Sequence, residues 1–260
     1  MLEASHPGLR WVAIAGSVAL TLALLPVTPA AAQRTIENAC PTDADFEDPG
    51  FPDQAALSSG NELEIICVYN WGITTGQADG TFGTLEDLNR AQLATFVIRL
   101  IEAARVELGT EPAPADTFTD TDAIPLAHRD NVLNAAAVGI VVGFADGSFR
   151  PSATVTRAQA ASVLVRAQQL INEAYDISLE DLEAYIDTLD FDAELTDISG
   201  NVHEDSIVLL ARLGVVGGYS DGTYRPGTGL LRGHMAALLA RHLDVLADLD
   251  LADLAPIEQA

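Results

Sequence analysis

The sequence predicts an all-α protein of three helix–loop–helix repeats, and two features support this fold class. The first is a run of Gly, three residues, Gly, two residues, Asp-Gly, and an Arg eleven residues after the Asp; its recurrence indicates a repeat protein. The second is an apolar stripe at helical spacing after each Arg, which indicates a shared core with a pseudo-threefold arrangement. The three copies of the run are Gly72, Gly76, Asp79 and Arg90; Gly139, Gly143, Asp146 and Arg157; and Gly214, Gly218, Asp221 and Arg232.

The second copy shows the order of elements within a repeat. Its first helix, over about residues 128–138, is expected to end at Gly139, because glycine commonly takes the left-handed position after a helix. Asp146 and the Gly that follows it favour a turn, since glycine supplies a positive φ. A second helix then runs to about residue 174, because Thr156 and Gln159 have the spacing of a capping box.

The other two copies depart from this plan mainly at their caps. Asn89 and Gln92 form a weaker cap in the first copy, whereas Leu231 and His234 stand at these positions in the third copy and cannot form one. Between the second and third copies, Ser178 begins an amphipathic insertion helix. The same Asp-Gly turn is predicted at Asp79 and Asp221. Each copy begins with an apolar residue that is expected to pack and an Asp that caps or turns: Phe46 and Asp48, Phe118 and Asp120, Leu195 and Asp197.

The first 32 residues predict a secretory signal peptide. An uncharged apolar run follows Arg10, and three alanines at 30–32 favour cleavage before Gln33. The run is short for a membrane span, which needs about 20 residues, and a retained anchor is the alternative. We expect a soluble, secreted protein with no membrane span after signal removal. We divide the rest into a degenerate first repeat (33–109), a second repeat (113–176), a helical insertion (177–192), a third repeat (193–247) and an acidic tail (248–260).

The charge and the cysteine count restrict the classes of partner. A net charge of -25 repels nucleic acid and anionic lipid, so neither is expected to bind. In a chain with this negative charge, a local cluster of Arg is unexpected and indicates a specific role. Cys40 and Cys67 fall in the exported part, where an even count favours a disulfide; two buried free thiols are the alternative. Two cysteines without a matched His pair do not complete a zinc site.

The sequence offers no support for catalysis. It contains neither a Gly-x-Ser-x-Gly elbow nor a His-Glu-x-x-His motif, and acidic pairs arise by chance among 38 acidic residues. The Asp-Gly turns lack the Asp or Asn that a calcium loop requires two residues before. We therefore predict a non-catalytic protein with no cofactor and no metal site.

The repeats resemble the S-layer homology domain. The segment GIVVGFADGSFRPSATVTRAQAASVLVRA of the second copy and GVVGGYSDGTYRPGTGLLRGHMAALLARH of the third carry the resemblance, with a worn copy in GITTGQADGTFGTLEDLNRAQLATFVIRL. The resemblance implies a three-pronged spindle that binds secondary cell-wall polymers in the grooves between repeats. It also implies that an Arg in a Thr-Arg-Ala-Glu-like motif contacts the anionic polymer. Residues 155–159 fit best, residues 88–92 are near, and residues 230–234 keep only the Arg.

The positions of these arginines also favour an anion beside them. Each begins a helix, where free N–H groups and the helix dipole attract an anion, and a guanidinium adds a forked donor. The alternative is that the arginines pair with acids of neighbouring repeats. We therefore expect binding at Arg157 and Arg90 first and at Arg232 last, with the loop glycines Gly139, Gly143, Gly72 and Gly76 admitting the ligand.

A second Arg recurs nine residues after the first in each copy, at Arg99, Arg166 and Arg241. This spacing predicts that it points to the opposite side of the helix as a structural ion pair. The expected ligand is an anionic cell-wall polysaccharide with carboxylate or pyruvyl groups. An S-layer subunit or surface adaptor that assembles through acidic faces is the alternative function. A hydrolase anchored by this module is disfavoured, because the repeats account for nearly the whole mature sequence.

Overall fold

The computed structural model describes residues 33–42, 45–57, 60–191, 194–249 and 251. The predicted signal peptide and nearly all of the acidic tail lie outside these residues. The described part folds into seven α-helices and one 3₁₀ turn, Thr121–Ala123, without a β-strand, which confirms the all-α prediction. None of these helices is long and apolar enough to span a bilayer. The helices are α1 (Glu62–Asn70), α2 (Arg90–Ala103), α3 (Leu126–Ala137), α4 (Arg157–Ala174), α5 (Leu179–Ile186), α6 (Glu204–Arg212) and α7 (Arg232–Asp248).

The second helix of each repeat begins at its predicted Arg. Asn89 with Gln92 and Thr156 with Gln159 form complete capping boxes at the starts of α2 and α4. Leu231 gives α7 no side-chain cap, as the sequence indicates. The insertion helix α5 is also present, and Ser178 caps it.

Helices pack between repeats rather than only within them. The second helix of one repeat lies against the first helix of the next, in the pairs α2 with α3, α4 with α6, and α7 with α1. Because the last repeat packs on the first, the three repeats close into a ring with three helix pairs. The apolar stripes of α2, α4 and α7 supply much of the core, including the fully buried Ile101, Leu164 and Leu246.

A closed set of three hydrogen bonds lies at the pseudo-threefold axis. The Leu88 N–H donates to Leu230 O, the Leu230 N–H donates to Val155 O, and the Val155 N–H donates to Leu88 O, each at 2.8 Å. All three residues precede the cap of a second helix and are buried. The degenerate first repeat therefore takes part in the threefold arrangement in the same way as the other two.

An Asp at the start of each repeat fastens its own loop. Asp120 accepts the Phe149 and Arg150 N–H groups at 2.6 and 2.7 Å, and Asp197 does the same for Tyr224 and Arg225. In the first repeat, Asp53 accepts the N–H groups of Phe82 and Thr84 at 2.8 and 2.7 Å.

Asp48 makes a turn, as predicted, by accepting the Gly50 N–H. The prediction that it is the counterpart of Asp120 and Asp197 is wrong, because Asp53 has that role. Both Phe46-Glu-Asp48 and Phe51-Pro-Asp53 fit the sequence pattern, but only Asp53 lies nineteen residues before Gly72, as Asp120 does before Gly139.

The segment before α1 contacts both the first and the third repeat. Cys40 and Cys67 form the predicted disulfide, with a Cα–Cα distance of 5.8 Å. Arg34 is 7% exposed and pairs with Asp244 and Asp248 of α7, at 3.0 Å each. This segment therefore ties the first repeat to the third.

Candidate functional site

Three related grooves lie where the second helix of one repeat meets the loop and second helix of the next. Each has a first Arg from one repeat, and a loop and a second Arg from the following repeat. Groove A is lined by Arg90, Val142, Gly143, Phe144, Phe149, Gln159, Ser162, Arg166 and His203. Groove B is lined by Gln33, Asn61, Arg157, Gly217, Gly218, Tyr219, His234, Ala237, Leu238 and Arg241. Groove C is lined by Thr74, Gly76, Gln77, Gln92, Thr95, Phe96, Arg99, His128 and Arg232.

The first Arg of each groove is held by backbone carbonyl groups of the next repeat. Arg90 donates from Nε to Phe149 O at 2.7 Å and from Nη2 to Val142 O at 2.9 Å. Arg157 donates from Nε to Tyr224 O at 2.8 Å and from Nη2 to Gly217 O at 3.1 Å.

Arg232 follows the same plan by donating from Nε to Phe82 O at 2.8 Å. Aromatic rings of these loops support the guanidinium groups: Arg90, Arg157 and Arg232 lie 4.7, 4.4 and 4.9 Å from the ring centroids of Phe149, Tyr224 and Phe82. Within the described residues, none of the three has a carboxylate at ion-pair distance, so the alternative of pairing with neighbouring acids is wrong.

The helix starts themselves are not free to bind an anion. The N–H groups of Arg90, Arg157 and Arg232 donate to carbonyl groups of the next repeat, at 3.1, 2.9 and 2.9 Å. The following N–H group of each helix is bonded in the same way, and the capping boxes take the third in α2 and α4. The expectation of free N–H groups is therefore wrong, and attraction for an anion rests on the guanidinium groups.

The second Arg of a repeat lines the same groove as the first Arg of the preceding repeat. Arg90 and Arg99 leave α2 toward different grooves, as their spacing predicts, but Arg166 of α4 comes to lie in groove A with Arg90. Arg166 and Arg99 donate to Ile140 O and Ile73 O at 3.0 and 3.1 Å. Among the residues that the structure describes, neither has a carboxylate at ion-pair distance, so the ion-pair prediction is wrong for these two.

The same prediction is confirmed for Arg241 in groove B. Arg241 lies 3.6 Å from a carboxylate oxygen of Glu64 on α1. Its positive charge is therefore partly offset by a carboxylate, unlike that of Arg166 in groove A.

The predicted glycines divide into two roles. Gly143 and Gly76 line grooves A and C. A Cβ atom at Gly143 would lie 3.0 Å from both the Phe118 ring and Ser148 O, so the loop closes tightly there. Gly139 and Gly72 instead end α3 and α1 at φ values of 72° and 70°, outside the groove linings.

The predicted turn aspartates stabilise the loops. Asp146 accepts hydrogen bonds from the Ser148 N–H and hydroxyl, and Arg150 pairs with it at 2.8 Å. These donors hold the pKa of the Asp146 carboxyl well below its usual range, and equivalent partners do so for Asp221. Asp79 accepts from the N–H and hydroxyl of Thr81.

Two histidines, His203 and His128, line grooves A and C. His203 Nδ1 lies 2.8 Å from Ser162 Oγ, and His128 Nδ1 lies 2.8 Å from Thr95 Oγ1. The matching positions of these histidines are visible in the sequence. Their hydroxyl partners lie in the preceding repeat, so only the packing between repeats reveals the contact.

The three grooves differ in how much positive charge they offer. In groove B, a Cβ atom at Gly217 would lie 2.5 Å from Gln33 Nε2, so the Gln33 side chain rests on the loop beside the Glu64-paired Arg241. In groove C, Arg232 is 4% exposed, and burial lowers the pKa of its guanidinium while Glu86 and Asp53 oppose that shift. In groove A, as in groove C, neither arginine has a carboxylate at ion-pair distance among the described residues. Burial lowers the pKa of Arg90 too, and Asp120 opposes that shift, but Arg90 is only partly buried.

Two segments of the chain match the model of the S-layer homology domain: residues 117–161 and residues 195–236. They lie in the second and third repeats. Each contains the Asp that fastens the loop, the Asp-Gly turn and the first Arg of a groove. The first repeat lies outside both segments and is recognised by its hydrogen bonds at the threefold axis.

Surface proteins of bacteria are among the curated relatives. The chain is similar to Cell surface glycoprotein 1 of Acetivibrio thermocellus, at 26% identity over 65% of the chain and 7% of that protein. The Cellulosome-anchoring protein of the same organism is 27% identical over 65% of the chain and 35% of its own length. Middle cell wall protein of Brevibacillus brevis is 33% identical over 59% of the chain and 13% of its own length. The chain thus spans about a third or less of these relatives.

Proposed function

We propose, from the premise that this chain is a member of the S-layer homology family, that it is a non-catalytic module binding an anionic cell-wall polysaccharide, chiefly in groove A. The family and the surface and cell-wall relatives place the chain at the cell wall or cell surface. Its general role is that of a cell-surface anchoring module. The observation that supports polymer binding is that Arg90 and Arg166 share groove A and that, within the described part of the chain, neither has a carboxylate at ion-pair distance.

The chemistry of groove A suits a carboxylate on a sugar. Guanidinium groups present forked N–H donors that match a carboxylate. Backbone carbonyls and aromatic rings already fix Arg90, so little side-chain freedom is lost on binding. The net charge of -25 opposes an anionic ligand, but salt screens the field of distant charges beyond about 8–10 Å. Two local cations can therefore act despite the acidic surface.

The geometry changes the expected order of the sites. The sequence places Arg157 and Arg90 ahead of Arg232, and residues 155–159 around Arg157 fit the family motif best. We place groove A first instead, because Glu64 partly offsets Arg241 in groove B and Gln33 rests on that loop. Groove C comes last, because Arg232 is buried and carboxylates lie near it.

Cosedimentation with cell walls tests this proposal. The mature chain should pellet with intact walls and remain in solution with walls stripped of secondary polymer. Arg90→Gln and Arg166→Gln should each weaken the pelleting, whereas Arg212→Gln removes the same charge outside the grooves and should not. Melting temperatures of all variants show whether any loss reflects unfolding. Equal pelleting with intact and stripped walls would contradict the proposal.

Assembly with other surface proteins is the alternative role, suggested by the acidic composition and the relatives' surface location. Size-exclusion chromatography tests self-assembly with and without calcium. A strict monomer throughout argues against an S-layer subunit.

A further inference from the structure

We propose that His203 in groove A and His128 in groove C accept a hydrogen bond from a sugar hydroxyl, and so make these grooves select hydroxylated sugar acids over plain polyanions. This inference rests on the proposed polymer binding and adds a chemical requirement for the ligand. It concerns the ring nitrogen of each histidine that does not contact the neighbouring repeat.

Hydrogen-bond accounting fixes which ring nitrogen of His128 carries the proton. The Thr95 hydroxyl donates its one proton to Ala91 O at 3.1 Å, because a carbonyl can only accept. Thr95 Oγ1 must therefore accept a hydrogen bond from the N–H at His128 Nδ1, 2.8 Å away. Ser162 Oγ lies 3.0 Å from Ser206 Oγ and 2.8 Å from His203 Nδ1, and since either hydroxyl can donate to the other, these contacts alone do not fix the proton of His203. We assign the Nδ1–H tautomer to His203 as well, because it holds the position in the third repeat that His128 holds in the second.

This tautomer leaves a lone pair on Nε2 of each ring. In the described part of the chain, no protein group makes a hydrogen bond to Nε2 of His203 or His128, and neither atom is a buried orphan. Burial and Arg166 lower the pKa of His203, and burial, Arg232 and Arg99 lower the pKa of His128. Each ring is therefore neutral near pH 7 and offers an acceptor within its groove.

Groove B lacks this arrangement and serves as an internal comparison. Asn61 stands at the position of the histidine, and Ala237 stands where grooves A and C have a hydroxyl. His234 of α7 also lines groove B, but it does not hold the position of His128 and His203, and no hydroxyl stands at residue 237 to orient it.

The acceptor complements the arginines. A guanidinium only donates hydrogen bonds, so it serves a carboxylate but cannot receive a hydroxyl proton. A neutral Nε2 can receive one. A sugar that carries both groups can use Arg166 and His203 together, whereas an anion without a hydroxyl can use only the arginine.

Two polyanions that differ in their hydroxyl groups test the proposal by calorimetry: oligoglucuronate and polyacrylate of matched length. The double variant His128→Phe/His203→Phe replaces each imidazole with an aromatic ring that has no nitrogen. It should lose about fivefold in affinity for oligoglucuronate, the value of a lost neutral hydrogen bond, and less than about twofold for polyacrylate. His203→Gln retains an acceptor and should recover part of the loss.

The outcomes separate this inference from the proposed function. If the wild-type chain pellets with intact walls but binds neither polymer, this inference is overturned and the proposed function stands; if it pellets equally with intact and stripped walls, both are overturned. If it binds oligoglucuronate but the double variant keeps the same preference over polyacrylate, only the role of the histidines is overturned. Melting temperatures of the variants exclude unfolding as the cause.

Nitrogen-15 NMR of the imidazole rings provides a test without any ligand. We expect the Nδ1–H tautomer for both histidines at pH 7, and a mixture of tautomers for His203 in Ser162→Ala. Observation of the Nε2–H tautomer in the wild-type chain would overturn the proposal.

Discussion

Arg90 and Arg166 line one groove although they belong to successive repeats. The same loop holds both, because Phe149 O accepts from Arg90 at 2.7 Å and Ile140 O accepts from Arg166 at 3.0 Å. A loop of the second repeat therefore brings together a cation of its own repeat and a cation of the first. Binding by this groove depends on the junction of two repeats rather than on either repeat alone.

The ion pair between Arg241 and Glu64 predicts a variant with increased binding. Glu64→Gln removes the carboxylate that lies 3.6 Å from Arg241 in groove B. The cation then becomes available to a ligand, and we expect wall affinity to rise about threefold, which is the scale of a weak ion pair. Cosedimentation over a range of wall concentrations measures the change.

Glu183→Gln is the matched control for this variant. Glu183 pairs with Arg212 at 2.9 Å, outside the three grooves, and its loss removes the same charge. Equal gains in both variants would mean that net charge, rather than the availability of Arg241, governs binding.

Elements fixed by neighbours in the chain can be predicted from the sequence. The capping boxes at Asn89 and Thr156, the helix end at Gly139 and the turn at Asp146 each depend on hydrogen bonds within a few residues. Spacing therefore identifies them. The failure at Asp48 has a local cause as well, since two Phe-x-Asp patterns lie five residues apart and composition does not distinguish them.

The grooves depend on contacts between repeats and could only partly be predicted. Periodicity on α4 correctly separates Arg157 from Arg166, but it contains no information on which neighbour each side chain meets. The prediction of free N–H groups at the helix starts is wrong for the same reason. The carbonyl groups that bond the N–H groups of Arg90 and Arg157 come from loops of the following repeats, at Ala153 and Thr228.

The close packing of the groove A loop makes Gly143 sensitive to substitution. In Gly143→Ala, the added methyl group would lie 3.0 Å from the Phe118 ring and from Ser148 O, and the backbone oxygen cannot move freely. We expect a loss of about 1–3 kcal/mol in the free energy of unfolding, the usual cost of overpacking. Urea denaturation measures it, with Gly227→Ala as control, because no atom lies within 4 Å of a Cβ placed there. Equal stability of the two variants would refute this account of the loop.

Arg34 should be important for stability because its ion pair is buried. Asp244 is 1% exposed and lies 3.0 Å from Arg34. Arg34→Ala leaves this carboxylate without its cation, and we expect a loss of about 3 kcal/mol in the free energy of unfolding. Arg212→Ala breaks an exposed pair and should cost less than about 1 kcal/mol. Similar small losses in both variants would contradict a structural role for the segment before α1.

A buried histidine on α7 predicts how stability responds to acid. His242 is fully buried, Gln168 Oε1 lies 2.7 Å from its Nε2, and its Nδ1 has no partner in the described structure. Burial lowers the pKa of His242 to about 4, because the charged ring cannot be solvated there. An unfolded histidine has a pKa of about 6.5. Below this value the unfolded chain binds a proton that the folded chain excludes.

The free energy of unfolding should therefore fall as the pH drops from about 6.5 toward 4, with His242 contributing up to about 1.4 kcal/mol per pH unit. His242→Met removes this contribution, so its stability should decline less steeply over that window, while above pH 7.5 the difference from wild type stays constant. Burial also lowers the pKa values of His128, His203 and His234, so a residual slope remains. Urea denaturation between pH 4.5 and 8 measures both curves. Parallel curves would show that His242 takes up its proton equally well in the folded protein.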